Sequence, residues 1–134
     1  MNQELEMILR LVLAGVLGAC IGYQRERAKK PAGLRTHILI SMGASLFTVV
    51  SIFGFKDGAD TSRIAAGVVT GVGFLGAGVI FRSLKGDVIV GLTTAASVWM
   101  AAAIGLTTGT GLYLLAIIAT VVGVLVLIIP TAKG

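Results

Sequence analysis

Five apolar stretches, each about 20 residues long and separated by short polar breaks, follow one another along the chain. That is the length an α-helix needs to cross about 30 Å of hydrocarbon. The first runs from about residue 5 to 23 and is interrupted by Arg10, which lies near enough to one end to snorkel outward. The others read as 35–53, 64–81, 88–106 and 112–129. The pattern predicts an all-α integral membrane protein of five transmembrane helices, a single transmembrane domain over residues 1–134. The breaks are punctuated by turn formers. Arg25, Glu26, Arg27, Lys29 and Lys30 come with Pro31 and Gly33 in the first, and Lys56, Asp57, Asp60 and Arg63 surround Gly58 in the second. Arg82, Lys85 and Asp87 make the third, and an uncharged turn from Thr107 to Gly111 the fourth.

Composition agrees with the pattern. Apolar residues are 56% and charged residues 13% of the chain, against roughly 45–50% and 25% in a soluble domain. The net charge of +5 would point to nucleic acid in a soluble protein. Here the cations lie in loops between spans, where they set orientation, so no nucleic-acid partner is expected. Arg25, Arg27, Lys29, Lys30, Arg35, Arg82, Lys85 and Lys133 fall on one side of a five-span arrangement, and Arg10, Lys56 and Arg63 on the other. The positive-inside rule then puts the N-terminus outside and the C-terminus in the cytoplasm. Leu17-Gly18-Ala19-Cys20 resembles a lipoprotein processing site, but Glu4 and Glu6 stand where a secretory signal is basic, so cleavage is not expected. Cys20 has no intrachain partner for a disulfide.

Small residues recur at helical spacing. Ala14, Gly18 and Gly22 are four apart in span one, and Gly67 and Gly71 in span three, with Gly78 further along that face and Gly76 close by. In lipid such residues let backbones approach, so these glycines are expected at packing faces and a homo-oligomer, a dimer first, is expected through them. A repeat at an offset of 58 residues is also visible: Gly15, Leu17, Gly18 and Ala19 recur as Gly73, Leu75, Gly76 and Ala77, and Gly33-Leu34-x-Thr36 as Gly91-Leu92-x-Thr94. It implies two parallel hairpins, spans one and two and spans three and four, with span five added outside.

His37, Ser41, Ser45 and Thr48 share a face of span two, and Thr93, Thr94 and Ser97 lie at matching depth on span four. They predict a polar seam between the two spans, which either holds the helices together by hydrogen bonds or lines a watery path. Arg25 and Glu26 end span one where Arg35, Thr36 and His37 open span two, forming a cytoplasmic polar cluster in which Glu26 pairs with Arg35. Asp60 and Arg63 form an outer-side pair, with Asp60 as a helix cap. All six carboxylates, Glu4, Glu6, Glu26, Asp57, Asp60 and Asp87, lie at or beyond helix ends. A carboxylate-lined cation path through the membrane is therefore not expected. Gly71-x-Gly73-x-x-Gly76 matches a dinucleotide fingerprint in letters, but no strand precedes it and no acidic residue follows at the required distance. No nucleophile–base or metal-ligand spacing appears, so neither catalysis nor a metal or cofactor is expected.

Gly22-x-x-Arg25-Glu26, Ala32-Gly33-Leu34-Arg35-Thr36-His37, Asp60-x-x-Arg63, Gly71-x-Gly73-Phe74-Leu75-Gly76-Ala77-Gly78-x-Ile80 and Gly91-Leu92-Thr93-Thr94-Ala95-Ala96-x-x-Trp99 together resemble the MgtC/SapB family along nearly the whole chain. The resemblance implies a bacterial inner-membrane protein linked to magnesium limitation, with control of ATP synthase and membrane potential as the role and Mg²⁺ transport not established. The chain is expected to be a short form without the soluble C-terminal domain of virulence-linked members. Thr93 and Met100 stand where those members have Asn and Cys. The expected function is a regulator or adaptor in ion homeostasis, with Trp99 as a packing or lipid anchor. The alternative is a small channel or transporter using the seam.

Overall fold

A computed structural model describes residues 2–55, 60–82 and 89–130, with the side chains of 81, 82, 89 and 90 left aside. Five helices account for almost all of it: α1 Gln3–Arg27, α2 Leu34–Phe53, α3 Ser62–Val79, α4 Leu92–Gly109 and α5 Tyr113–Ile128. The first four are long and apolar enough to cross a membrane, and α5, at 16 residues, is a shorter apolar helix. Large apolar side chains such as Phe74, Leu114, Leu125 and Ile128 stand exposed around the bundle. Such a surface needs lipid around it.

Two boundaries move relative to the sequence pattern. Ile80 turns extended, and α3 stops at Val79 instead of running to residue 81. Phe81–Arg82 then pairs antiparallel with Ile89–Val90, Phe81 opposite Val90, as strands β1 and β2. The fourth helix starts at Leu92, not at residue 88, because the β-branched pair before it extends and Gly91 takes a left-handed turn with φ 92°. A side chain at Gly91 would also drive into the Val79 carbonyl, so this junction requires glycine. Lys56, Asp57, Gly58, Lys85, Asp87 and Lys133 lie outside the described residues.

Helix ends follow local chemistry. Asn2 caps α1, its side chain accepting from the Leu5 N–H at 2.7 Å, while Glu4 and Glu6 occupy the positive end of the helix and Arg25 and Arg27 the negative end. At the far end Lys29 sits at φ 58°, Lys29 N bonds Glu26 O at 3.0 Å, and Lys30 N bonds Arg25 O at 3.1 Å. This is a Schellman closure with lysine where glycine is usual.

α1, α2 and α4 form the centre. One apolar cluster joins Ala44 of α2 to Val68 and Val72 of α3 and Val98 and Ala102 of α4, and a second joins Leu17 and Ile21 of α1 to Ile104 and Ala116. α3 is peripheral, with Val68, Val72 and Gly76 its buried residues. α5 lies along α1, tied at its C-terminal end by Gln24 Nε2 donating to Leu127 O at 3.2 Å.

Candidate functional site

The buried stripe of α1 contains Ala14, Gly18 and Ile21 and is bounded by Arg10 and Arg25. These positions return to one face of a 3.6-residue helix, and 1.5 Å per residue separates the two arginines by about 22 Å. Each end of the stripe therefore sends a guanidinium into the bundle.

At one end Arg25 is 2% exposed, and its Nη2 donates to Thr94 Oγ1 at 2.8 Å while Nε has no partner. His37 is fully buried one helix away. Its Nδ1 lies 2.8 Å from Gly33 O, and since a carbonyl only accepts, that nitrogen carries a proton. Nε2 lies 2.8 Å from Ser97 Oγ, whose hydroxyl also reaches Thr94 O at 2.7 Å. In the neutral imidazole Ser97 donates to Nε2; in the imidazolium Nε2 donates to Ser97 and the hydroxyl turns to Thr94 O. Arg25, Thr94, Ser97 and His37 thus form one connected set across α1, α2 and α4.

Below them the helices close. A methyl group in place of the Gly18 hydrogen would come within 2.6 Å of His37 O and 2.7 Å of Ser41 Cβ, and one at Gly22 within 2.8 Å of Leu34 Cα. From the opposite side Gly105 of α4 presses on the Ser41 backbone and Gly109 on Ser45 O and Thr48. Ser41 is clamped between two glycines, its Oγ buried without a partner. The remaining hydroxyls bond backbone: Thr48 donates to Ala44 O, Thr108 to Ile104 O, and Ser45 to Arg10 O.

At the other end Arg10 is 8% exposed and does not snorkel outward as its position suggested. Its Nη1 donates to Gly109 O at 2.9 Å, its Nη2 pairs with Glu6 at 3.2 Å, its Nε reaches Tyr113 OH at 3.3 Å, and the group lies 5.2 Å from the centre of the Phe53 ring. Carbonyls left open at the end of α4 take up the charge more cheaply than a stretch to the rim would.

His37, Ser41, Ser45, Thr94 and Ser97 are all buried; among the described residues His37–Ser97 is the side-chain bond that joins α2 to α4, and Arg25 reaches Thr94 from α1. Thr93 is half-buried beside them, whereas Arg35 and Thr36 are exposed. Glu26 does not pair with Arg35; its Oε1 accepts from Leu34 N at 3.1 Å, capping a helix whose N-cap is Gly33 and has no side chain to do so. Asp60 is not the N-cap of α3, which is Thr61; it closes a local turn just before it, Oδ1 accepting from Ser62 N at 3.0 Å and Ser62 Oγ at 2.7 Å. Those two bonds hold its carboxyl below the usual carboxylate range. Its ion pair with Arg63 does not form: among the described residues the one ion pair is Arg10–Glu6. Gly18 and Gly22 pack against α2 within the chain, which leaves them no part in the expected dimer face, and Gly76 meets Ala95 at ordinary contact distance. Gly67, Gly71 and Gly78 have nothing within reach of a side chain, because α3 stands off from the bundle on that face. Trp99 is half-exposed, its ring edge over Gly73. The residues the sequence pattern did not single out are Gly105, Gly109 and Tyr113; the four-residue spacing of the first two was the available signal.

The family model described as the MgtC family matches residues 11–132, which takes in every helix of the seam. The chain belongs to the MgtC family. Among relatives, it is 54% identical over 106 residues to the Escherichia coli protein named "Putative magnesium transporter YhiD", covering 74% of this chain and 48% of that one. Protein SapB of Bacillus subtilis is 41% identical over 106 residues, 74% of this chain and 45% of SapB. Protein MgtC of Salmonella typhimurium is 46% identical over 97 residues, 72% of this chain and 40% of MgtC. The chain thus spans less than half the length of these three relatives. No solved structure matches it.

Proposed function

We propose that this MgtC-family chain is the membrane part of a regulator or adaptor that acts under magnesium limitation in a bacterial inner membrane. In this reading it has five spans, α5 included, with the N-terminus outside and the C-terminus in the cytoplasm. The Arg25–Thr94–Ser97–His37 set is its working site, and its target is a membrane protein such as ATP synthase. The magnesium link rests on the family and on the name of the Escherichia coli relative.

One observation supports regulation over conduction. The α2–α4 seam is filled by Gly105 and Gly109 against Ser41, Ser45 and Thr48, and its ends carry Arg10 and Arg25. A divalent cation entering there meets a buried guanidinium and hydroxyls mostly engaged already, Ser41 Oγ excepted, too few oxygens to replace its water shell. The second reading, transport of Mg²⁺ or another ion along the seam, is favoured by the word transporter in that relative's name.

Liposome flux separates the two. The purified chain is expected to move no Mg²⁺ or monovalent ion above empty vesicles, while restoring growth at low Mg²⁺ to cells lacking their own copy. Flux that disappears in His37→Ala or Thr94→Val would put transport in place of regulation. Co-purification from native membranes with the target, lost in Arg25→Met, is the matching positive result.

A further inference from the structure

An apolar groove of about 820 Å³ lies between α2 and α3, walled by Leu39, Gly43 and Phe47 on one side and Gly67, Gly71 and Leu75 on the other. It is open along its length, and three of those residues, Gly43, Gly67 and Gly71, have no atom within 4 Å of where a side chain would start. Arg63, exposed in the first turn of α3, stands at one end of it. We propose that this groove binds one anionic phospholipid, its phosphate at Arg63 and an acyl chain along Gly67 and Gly71.

Length and charge choose this occupant. From Arg63 to Leu75 the groove runs about 18 Å along α3, close to the roughly 15 Å of one leaflet, half of a hydrocarbon core of about 30 Å. It begins where headgroups lie and ends near mid-membrane. A transmembrane helix would need a track across the whole bilayer. At the rim the guanidinium and the positive end of the α3 dipole add, which favours a phosphate. The Asp60 carboxylate beside them remains an anion despite its bonds from Ser62 and offsets part of that pull, so the phosphate selectivity rests on Arg63. A second copy docked here through α3 would instead bring another Arg63 to the same rim, where like charges repel. The volume lies within the roughly 300–1,000 Å³ usual for ligand sites.

The test is native mass spectrometry of the full chain in a neutral detergent, titrated with phosphatidylglycerol and with phosphatidylcholine of the same acyl chains. One phosphatidylglycerol is expected to be retained in preference. Arg63→Gln should lower that preference about fivefold, the equivalent of about 1 kcal/mol per cation at an anionic surface. Gly67→Leu with Gly71→Leu, or Gly43→Leu from the opposite wall, should fill the groove and lower retention of both lipids. Helical circular dichroism should stay unchanged, since no atom lies within 4 Å of where each added side chain would start. Equal retention of the two lipids, or retention indifferent to these variants, overturns the proposal. So does a dimer that dissociates in Gly67→Leu while lipid binding persists, which would give the groove to a second copy.

Discussion

Arg25 and Arg10 carry the same charge into the same bundle and are held very differently. Arg10 has a carboxylate, a carbonyl and a phenol around it, so its side chain knits α1 to the α4–α5 turn. Replacing it with Met leaves Gly109 O and Glu6 without their partner, and the cost should reach about 2–4 kcal/mol, read as a lower unfolding temperature in detergent. Arg25 has one hydroxyl and an idle Nε, and no carboxylate pairs with it among the described residues. A buried charge so poorly compensated costs stability, so Arg25→Met should be neutral or up to about 2 kcal/mol stabilising while growth at low Mg²⁺ is lost. A clear drop in unfolding temperature would instead make Arg25 a structural strut. Arg35, the cation that adjacency in sequence placed at the bundle entrance, is exposed and should matter less than Arg25. Lys29 offers a gain: its left-handed backbone suits glycine, and Lys29→Gly should stabilise by about 0.5–1 kcal/mol in the same measurement.

Between helices, the lesson concerns glycine pairs spaced by four. Gly67 and Gly71 look in sequence like Gly105 and Gly109, yet the first pair faces an open groove and the second presses on α2 backbone. Small residues permit close approach; whether a neighbour arrives depends on where the chain carries the helix. Gly105→Ala should therefore cost about 3 kcal/mol or more through forced separation of α2 and α4, and Gly67→Ala almost nothing. Equal effects on yield and unfolding temperature would refute that distinction. The buried polar face of α2 was legible because His37, Ser41, Ser45 and Thr48 keep helical spacing; which partners they meet was not, since Thr48 bonds its own helix and Ser41 Oγ bonds nothing. The Arg10 site was not legible, because Gly109 and Tyr113 lie some hundred residues away and become neighbours only when α5 folds back along α1. Nor was the end of α3, where Phe81, Ile89 and Val90 are as apolar as a span but pair as strands.

For the molecule as a whole, the proposed repeat at an offset of 58 residues rests on a few matched positions. Gly33 and Gly91 are the N-caps of α2 and α4, and Gly18 approaches His37 as Gly76 approaches Ala95, residues separated by that same offset. The two hairpins are nevertheless unequal: the first is clamped tightly at Gly18 and Gly22, while the second meets at ordinary contact distance and leaves α3 at the edge. Two parallel hairpins require the α1–α2 and α3–α4 connections to emerge on one face of the membrane and the α2–α3 connection on the other. In the proposed orientation the basic Arg25–Lys30 segment puts the first face in the cytoplasm. In a Cys20→Ala background, Thr61→Cys should then react with an impermeant thiol reagent in intact cells, and Lys29→Cys only after the membrane is opened. Both positions are exposed at helix ends, so access to the reagent depends on sidedness and not on burial. The reverse labelling would invert the orientation while keeping the paired hairpins. Labelling of both in intact cells would break the alternation itself, and with it the reading of α1 to α4 as two copies of one unit.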